Sequence, residues 1–295
     1  MSLKKLAIAT AFAGFATAAQ ATPIASQFFP GFVNQLSDNN AEYLVNANGS
    51  LSDSGDSTLD LGDRLVGMFT IETIENLTGG GASNNLALSG RELTGIFDVK
   101  VAAVNFNAIS GVYTYVFAAT NTWGSDIAVK LFDGDSLNYT RIDDGTDDGT
   151  VTRQDRLNAL IGTASDGLDF LTLAIDKYWI ATTTTNDISA IGALPPGQAV
   201  NTFLVSLGIV TNNSGLEFAK VDCGVSPVGP LAFHQADVCG SGSLLGVGGV
   251  TTPFDSFSNV DFTVSVKAVP EPGTLFLLSL GLLGAGVFGR SRKNA

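Results

Sequence analysis

The segment DFTVSVKA, residues 261–268, alternates without a break: Phe262, Val264, Val266 and Ala268 are apolar, and Asp261, Thr263, Ser265 and Lys267 are polar. A two-residue period puts successive side chains on opposite faces of an extended chain, so this is a half-buried strand. The same period recurs at Phe97, Val99, Val101 and Ala103, and at Ile127, Val129 and Leu131. The runs RLVGMFTIETI, GVYTYVFAAT, LDFLTLAI, KYWIATTT and NTFLVSLGIV are rich in β-branched and aromatic residues and are bounded by Gly, Asn, Asp and Ser, the residues that separate strands by turns. No stretch carries a long apolar stripe at helical spacing. Many short strands without intervening helices predict an all-β fold, an antiparallel β-sandwich or jelly-roll-like body, rather than a parallel α/β sheet. The polar stretches Asn34 to Asp60 and Gly79 to Asn85 read as loops at the ends of that sandwich.

Both ends of the chain depart from this pattern. Residues 1–21 carry Lys4 and Lys5, an apolar run from Leu6 to Ala19, and small side chains at Ala19 and Ala21. That order of parts is a secretory signal peptide cut after Ala21, handled by the Sec translocation machinery. At the other end, residues 274–289 carry no charge and are followed by Arg290, Arg292 and Lys293. As a helix this segment is roughly 24 Å long, slightly short of a hydrocarbon core of about 30 Å, a mismatch that local thinning accommodates. It therefore reads as a transmembrane helix whose trailing cations stay cytoplasmic and leave the body outside. Pro270 and Pro272 hold Glu271 in an extended spacer just before it.

Val269, Pro270, Glu271 and Pro272, the apolar span and the terminal cations together resemble the PEP-CTERM sorting signal, over about the last 27 residues. The resemblance implies an exported protein of a Gram-negative bacterium, anchored in the inner membrane through its C-terminal helix. It further implies recognition by an exosortase, a membrane-embedded cysteine transpeptidase, which removes the tail and passes the protein to the cell surface or the exopolysaccharide matrix. It says nothing about the chemistry of the body. The chain thus divides into a signal peptide (1–21), a body (22–268) and a sorting signal (269–295).

The body has about 245 residues, enough for one all-β domain with a real core. The chain has a net charge of −13, and loss of the two cationic ends makes the body more acidic still. Such a surface repels phosphate backbones, so a nucleic-acid partner is not expected. The two cysteines, Cys223 and Cys239, meet an oxidising compartment after export and are expected to pair, stabilising the fold by roughly 3 kcal/mol on the chain-entropy model. The stretch between them reads as having little regular structure, and His234, the single histidine, as an incidental loop residue within it.

One acidic stretch, RIDDGTDDGTVTRQDRLNALI from Arg141 to Ile161, has the spacing of a calcium loop. With Asp144 first, Thr146 is third, Asp148 fifth, Gly149 sixth, Thr150 seventh, Thr152 ninth and Asp155 twelfth, which supplies oxygen ligands around a sharp turn. It resembles an EF-hand or dockerin-type loop, although Thr146 and Asp155 depart from the usual residues and no entering helix is evident. Arg156 to Ile161 then reads as a short exit helix. The same residues also read as two tight Asp-Asp-Gly turns that need no ion, and calcium is the one cofactor to which the sequence points.

Catalysis has less support. A Ser-His-Asp relay would have to run through His234, and no G-x-S-x-G elbow is present. The expectation is a non-enzymatic, structural or adhesive component of the surface or exopolysaccharide matrix. The alternatives are a carbohydrate-binding module, which would display Trp123, Trp179, Tyr113, Tyr115 and Tyr139 on one face, and a secreted glycan hydrolase, which would set two acids across a cleft.

Overall fold

The structure is a computed structural model that describes residues 23–51, 58–124, 126–134, 152–188, 190, 201–227, 232–245 and 254–268. The signal peptide, the motif residues Val269 to Pro272, the span 274–289 and the terminal cations lie outside the described residues, as do Asp144, Thr146, Asp148, Thr150 and Tyr139.

After a 3₁₀ turn at Pro23–Gln27, the strands are β1 (Val33–Val45), β2 (Arg64–Asn76), β3 (Ser83–Asn85), β4 (Glu92–Asn107), β5 (Val112–Ala119) and β6 (Ile127–Gly134). One helix, α1 (Arg153–Ala164), precedes β7 (Leu168–Thr183), β8 (Thr202–Asn212), β9 (Phe218–Ala219), β10 (Val221–Val225), β11 (Phe233–Ala236), β12 (Val238–Leu244) and β13 (Ser256–Val266). The pairings between these strands are antiparallel, so the antiparallel all-β expectation holds.

The ladder closes around the core. It runs β2-β1-β13-β12-β8-β7, passes through β6 along the first half of β7 and through β5 along the second half, and returns by β4 to β2. Closure satisfies backbone groups that an open sheet would leave at its edges. Strand β2 shows how side chains are sorted between two cores. Leu65, Phe69 and Ile71 point into the main core, while Val66 and Met68 enter a second core with Leu157 and Ala164 of α1. Thr73 pairs with Ser37 and Ile71 with Asp38, so Glu72 is an extra, bulged residue. The bulge reverses the alternation and lets Ile74 join Ile71 inside.

Helix α1 lies outside the ring over β2 and β4, and Thr94 Oγ1 donates to the Ala164 carbonyl at 2.7 Å. It is longer than the exit helix expected at 156–161, because Thr152 caps it three residues ahead of Asp155. The main core contains an aromatic series, Phe262–Phe69–Phe97–Trp179–Phe203, with consecutive ring centroids 5.5–6.5 Å apart.

Three loop expectations are corrected, the first at Gly79 to Asn85, whose last three residues are β3 paired with β2. The stretch from Asn34 read as a loop because polar residues interrupt its apolar pattern, yet residues 33–45 are β1, hydrogen-bonded to both β2 and β13. The region between the cysteines holds β10, β11 and the start of β12, which puts His234 on a strand.

Candidate functional site

The last strand delivers the tail. Gly31 N–H donates to the Val266 carbonyl at 2.8 Å, Val266 N–H to the Phe32 carbonyl at 3.1 Å, and Lys267 N–H to the Glu217 carbonyl at 2.8 Å. Backbone hydrogen bonds therefore tie the chain to the body as far as Lys267, and the alternation that identified this strand is borne out by burial of Phe262, Val264 and Val266.

Cys223 and Cys239 form a disulfide with their Cα atoms 5.3 Å apart. It ties β10 to β12 and holds the small β10–β11 sheet beside the ring. Next to it, His234 Nε2 lies 2.7 Å from Ser206 Oγ on β8 and 3.1 Å from Asp176 Oδ2 on β7. A serine-protease-type relay needs the serine on one ring nitrogen and the carboxylate on the other. Here both partners meet the same nitrogen, and Ser206 is fully buried, so the trio clamps β11 to the ring. Asp176 and Ser206 lie 58 and 28 residues from His234 in the sequence, and no local pattern marks them as its partners.

Thr152 and Asp155, assigned above to positions nine and twelve of a calcium loop, form a capping box. Asp155 N–H donates to Thr152 Oγ1 at 3.1 Å, while Thr152 N–H and Oγ1–H donate to Asp155 Oδ2 at 3.2 and 2.7 Å. These bonds, led by the one from the Thr152 side chain, hold the exposed Asp155 carboxyl below its ordinary range.

Among the described residues, the aromatic candidates do not share an exposed face. Trp179 and Tyr115 are buried in the main core, Tyr113 is half-buried with its ring centroid 4.5 Å from that of Phe106, and Trp123 is half-buried against the second core. Burial pushes the Tyr115 and Tyr178 phenols up. Two acids do share a cleft: Glu72 and Glu92 line a hollow of about 280 Å³ with Thr70, Asn85 and Arg91.

A polar band inside the ring was missed. Along β1, Asp38, Asn40 and Glu42 alternate with Ala41 and Tyr43 and lie between the core residues Leu36 and Leu44. Val260 N–H donates to Asp38 Oδ1 at 2.9 Å, Asn40 Nδ2 donates to Ser258 Oγ at 3.0 Å, and Ser258 Oγ donates to Glu42 Oε1. Asp38 Oδ2 has no hydrogen-bond partner among the described residues. Burial raises the Asp38 carboxyl well above its ordinary value, the Val260 N–H opposes that, and Asp261, Glu42 and Glu72 add to it by repulsion.

An antiparallel all-β body with a C-terminal sorting tail is the class that these features define. The tail is the specific part: the family described as PEP-CTERM protein-sorting motif matches residues 268–293. The chain carries that motif, which marks an exported protein targeted to an exosortase by a C-terminal membrane-anchored signal. Comparison with curated proteins and with solved structures gives no match.

Proposed function

We propose that the body is a non-enzymatic component of the bacterial surface or exopolysaccharide matrix, released there when an exosortase cuts the tail. The observation that carries this reading is the sorting motif at residues 268–293, directly after the last strand. Three features support a structural role for the body. The ring is closed, the sugar-stacking candidates Trp179 and Tyr115 are packed inside it, and His234 meets Ser206 and Asp176 through one nitrogen. Burial of these aromatics weighs against the carbohydrate-binding module, which needs them on a surface.

The mature product recovered from producing cells is expected to have a mass that lacks residues 1–21 and the span 274–289 and retains the disulfide. It is expected to sediment with the exopolysaccharide while the polymer keeps its chain length. A product still carrying the span would sink the sorting reading. Polymer shortening that Glu92→Gln abolishes would instead favour the second reading, a glycan hydrolase using the Glu72–Glu92 cleft.

A further inference from the structure

We propose that the end of the body from which the tail leaves rests on the outer face of the membrane while the precursor is anchored, with Phe32 and Leu77 entering the lipid interface. This rests on the reading of residues 274–289 as a membrane span.

Residues 269–273 separate Ala268 from that span. Five residues extend at most about 18 Å, and the headgroup layer alone takes up about 6 Å of that. The body is therefore held against the bilayer with no room to turn its far end toward it. Around the exit the surface is apolar: Pro30 is exposed, Phe32 is 41% exposed and Leu77 48% exposed. Phe32 is hydrogen-bonded to Val266, Leu77 N–H donates to the Val33 carbonyl at 3.0 Å, and a side chain at Gly31 would touch Ala268. These residues thus surround the departing strand.

The charged neighbours Lys267 and Glu217 pair with each other at 3.5 Å and so add no net charge at the exit, although the chain as a whole is strongly acidic; Glu75, two residues before Leu77, is half-buried on β2. Phe and Leu side chains favour the interface only weakly one at a time, but a short tether makes the encounter intramolecular, so weak partition suffices. The β4–β5 turn, where Ile109 is 99% exposed, lies at the other end. Arg64 pairs with both Val45 and Lys100, and β4 runs on from there to Asn107, away from Val266.

The test uses the full chain with a single added cysteine, Leu77→Cys, Phe32→Cys or Ile109→Cys, the native pair being held in its disulfide. Each is labelled with an environment-sensitive fluorophore and reconstituted into vesicles of phosphatidylethanolamine and phosphatidylglycerol. Labels at 77 and 32 are expected to shift to the blue and to be quenched by lipids spin-labelled near the headgroup, and the label at 109 to do neither. If Phe32→Cys does not fold, Lys267→Cys reports the same end. Precursor that floats with the vesicles while all positions remain water-like overturns the proposal and leaves the span intact. Precursor that fails to float removes both. A blue shift at 77 without vesicles means that the chain's own tail covers the patch, which also overturns it.

Discussion

Gly67 and Phe97 face each other across the β2–β4 ladder, and a Cβ on Gly67 would lie 2.0 Å from Phe97 Cζ. The next inward pair is the mirror of it: Phe69 opposes Gly95, whose Cβ would lie 2.1 Å from Phe69 Cζ. Each ring covers the glycine opposite, so two phenylalanines fit side by side where four side chains would collide. Gly67→Ala is expected to destabilise the protein by about 1–3 kcal/mol through overpacking, and Phe97→Ala by about 3–5 kcal/mol through the cavity that it leaves. In the double variant the new methyl occupies space vacated by the ring. A double-mutant cycle from urea unfolding should therefore give a loss smaller than the sum of the two, and strict additivity would show that the two positions are not in contact.

The buried Asp38 gives the fold a pH-dependent weakness. Its carboxyl titrates above the ordinary value of 3.8 in the folded state, so the folded form favours the neutral acid. The stabilisation this brings is complete below about pH 3.8 and is lost as pH rises through the folded value. At neutral pH the folded state either carries a buried carboxylate or must hold a proton against the gradient. Asp38→Asn keeps an acceptor for the Val260 N–H and removes the charge. It should raise the melting temperature at pH 7, with the gain shrinking toward zero below pH 4. A variant equally stabilised at both pH values would show that the effect is packing and not ionisation.

Alternation made the apolar strands legible, as β13 illustrates: Phe262, Val264 and Val266 are buried at the expected spacing. The rule fails on β1, where residues 37–40 are polar on both faces and do not alternate; Asp38, Asn40 and Glu42 take inward positions because their hydrogen-bonding partners sit on β13. A pattern read only in apolar residues cannot see such a strand. The two runs LDFLTLAI and KYWIATTT proved to be one strand, β7, since Asp176 and Lys177 fall where its ladder with β8 is irregular. The partners of His234 come from strands distant in sequence, and only the closed pairing of β7, β8 and β12 brings them together. The tail needed no tertiary structure to be recognised, because its signal lies in the order of its parts along the chain.

The calcium and capping roles of Asp155 compete for the same atom. Its Oδ2 accepts both hydrogen bonds from Thr152, and an ion bound there would have to draw that oxygen from the helix end. With the cap in place, Thr152→Ala should cost about 1 kcal/mol, a fall of roughly 2–4 °C in a domain of this size. A chelator should leave the melting temperature of the parent protein unchanged. A fall on chelation, reversed by added calcium, would mean that the ion displaces the capping box and that Asp144 and its neighbours form a true shell.

The disulfide should act locally before it acts globally. Strands β10 and β11 pair with each other in a separate two-stranded sheet. Besides the bond from Cys223 to Cys239, β11 is held to the ring by the clamp of His234 on Ser206 and Asp176, while the pair Lys220–Asp237 at 3.0 Å joins the residue before β10 to the residue after β11. The Cys223→Ser, Cys239→Ser variant loses the restraint on a short loop, a loss of roughly 3 kcal/mol on the chain-entropy model. The exposed Lys220–Asp237 pair is too weak to replace it. Amide exchange should therefore speed up first across residues 221–236, while the β2–β4 and β7–β8 ladders keep their protection. Closure supplies the reason, since each ring strand is hydrogen-bonded on two sides whereas β10 and β11 rest on one side-chain clamp. Uniform loss of protection throughout the ring would instead make the small sheet part of the same cooperative unit as the core.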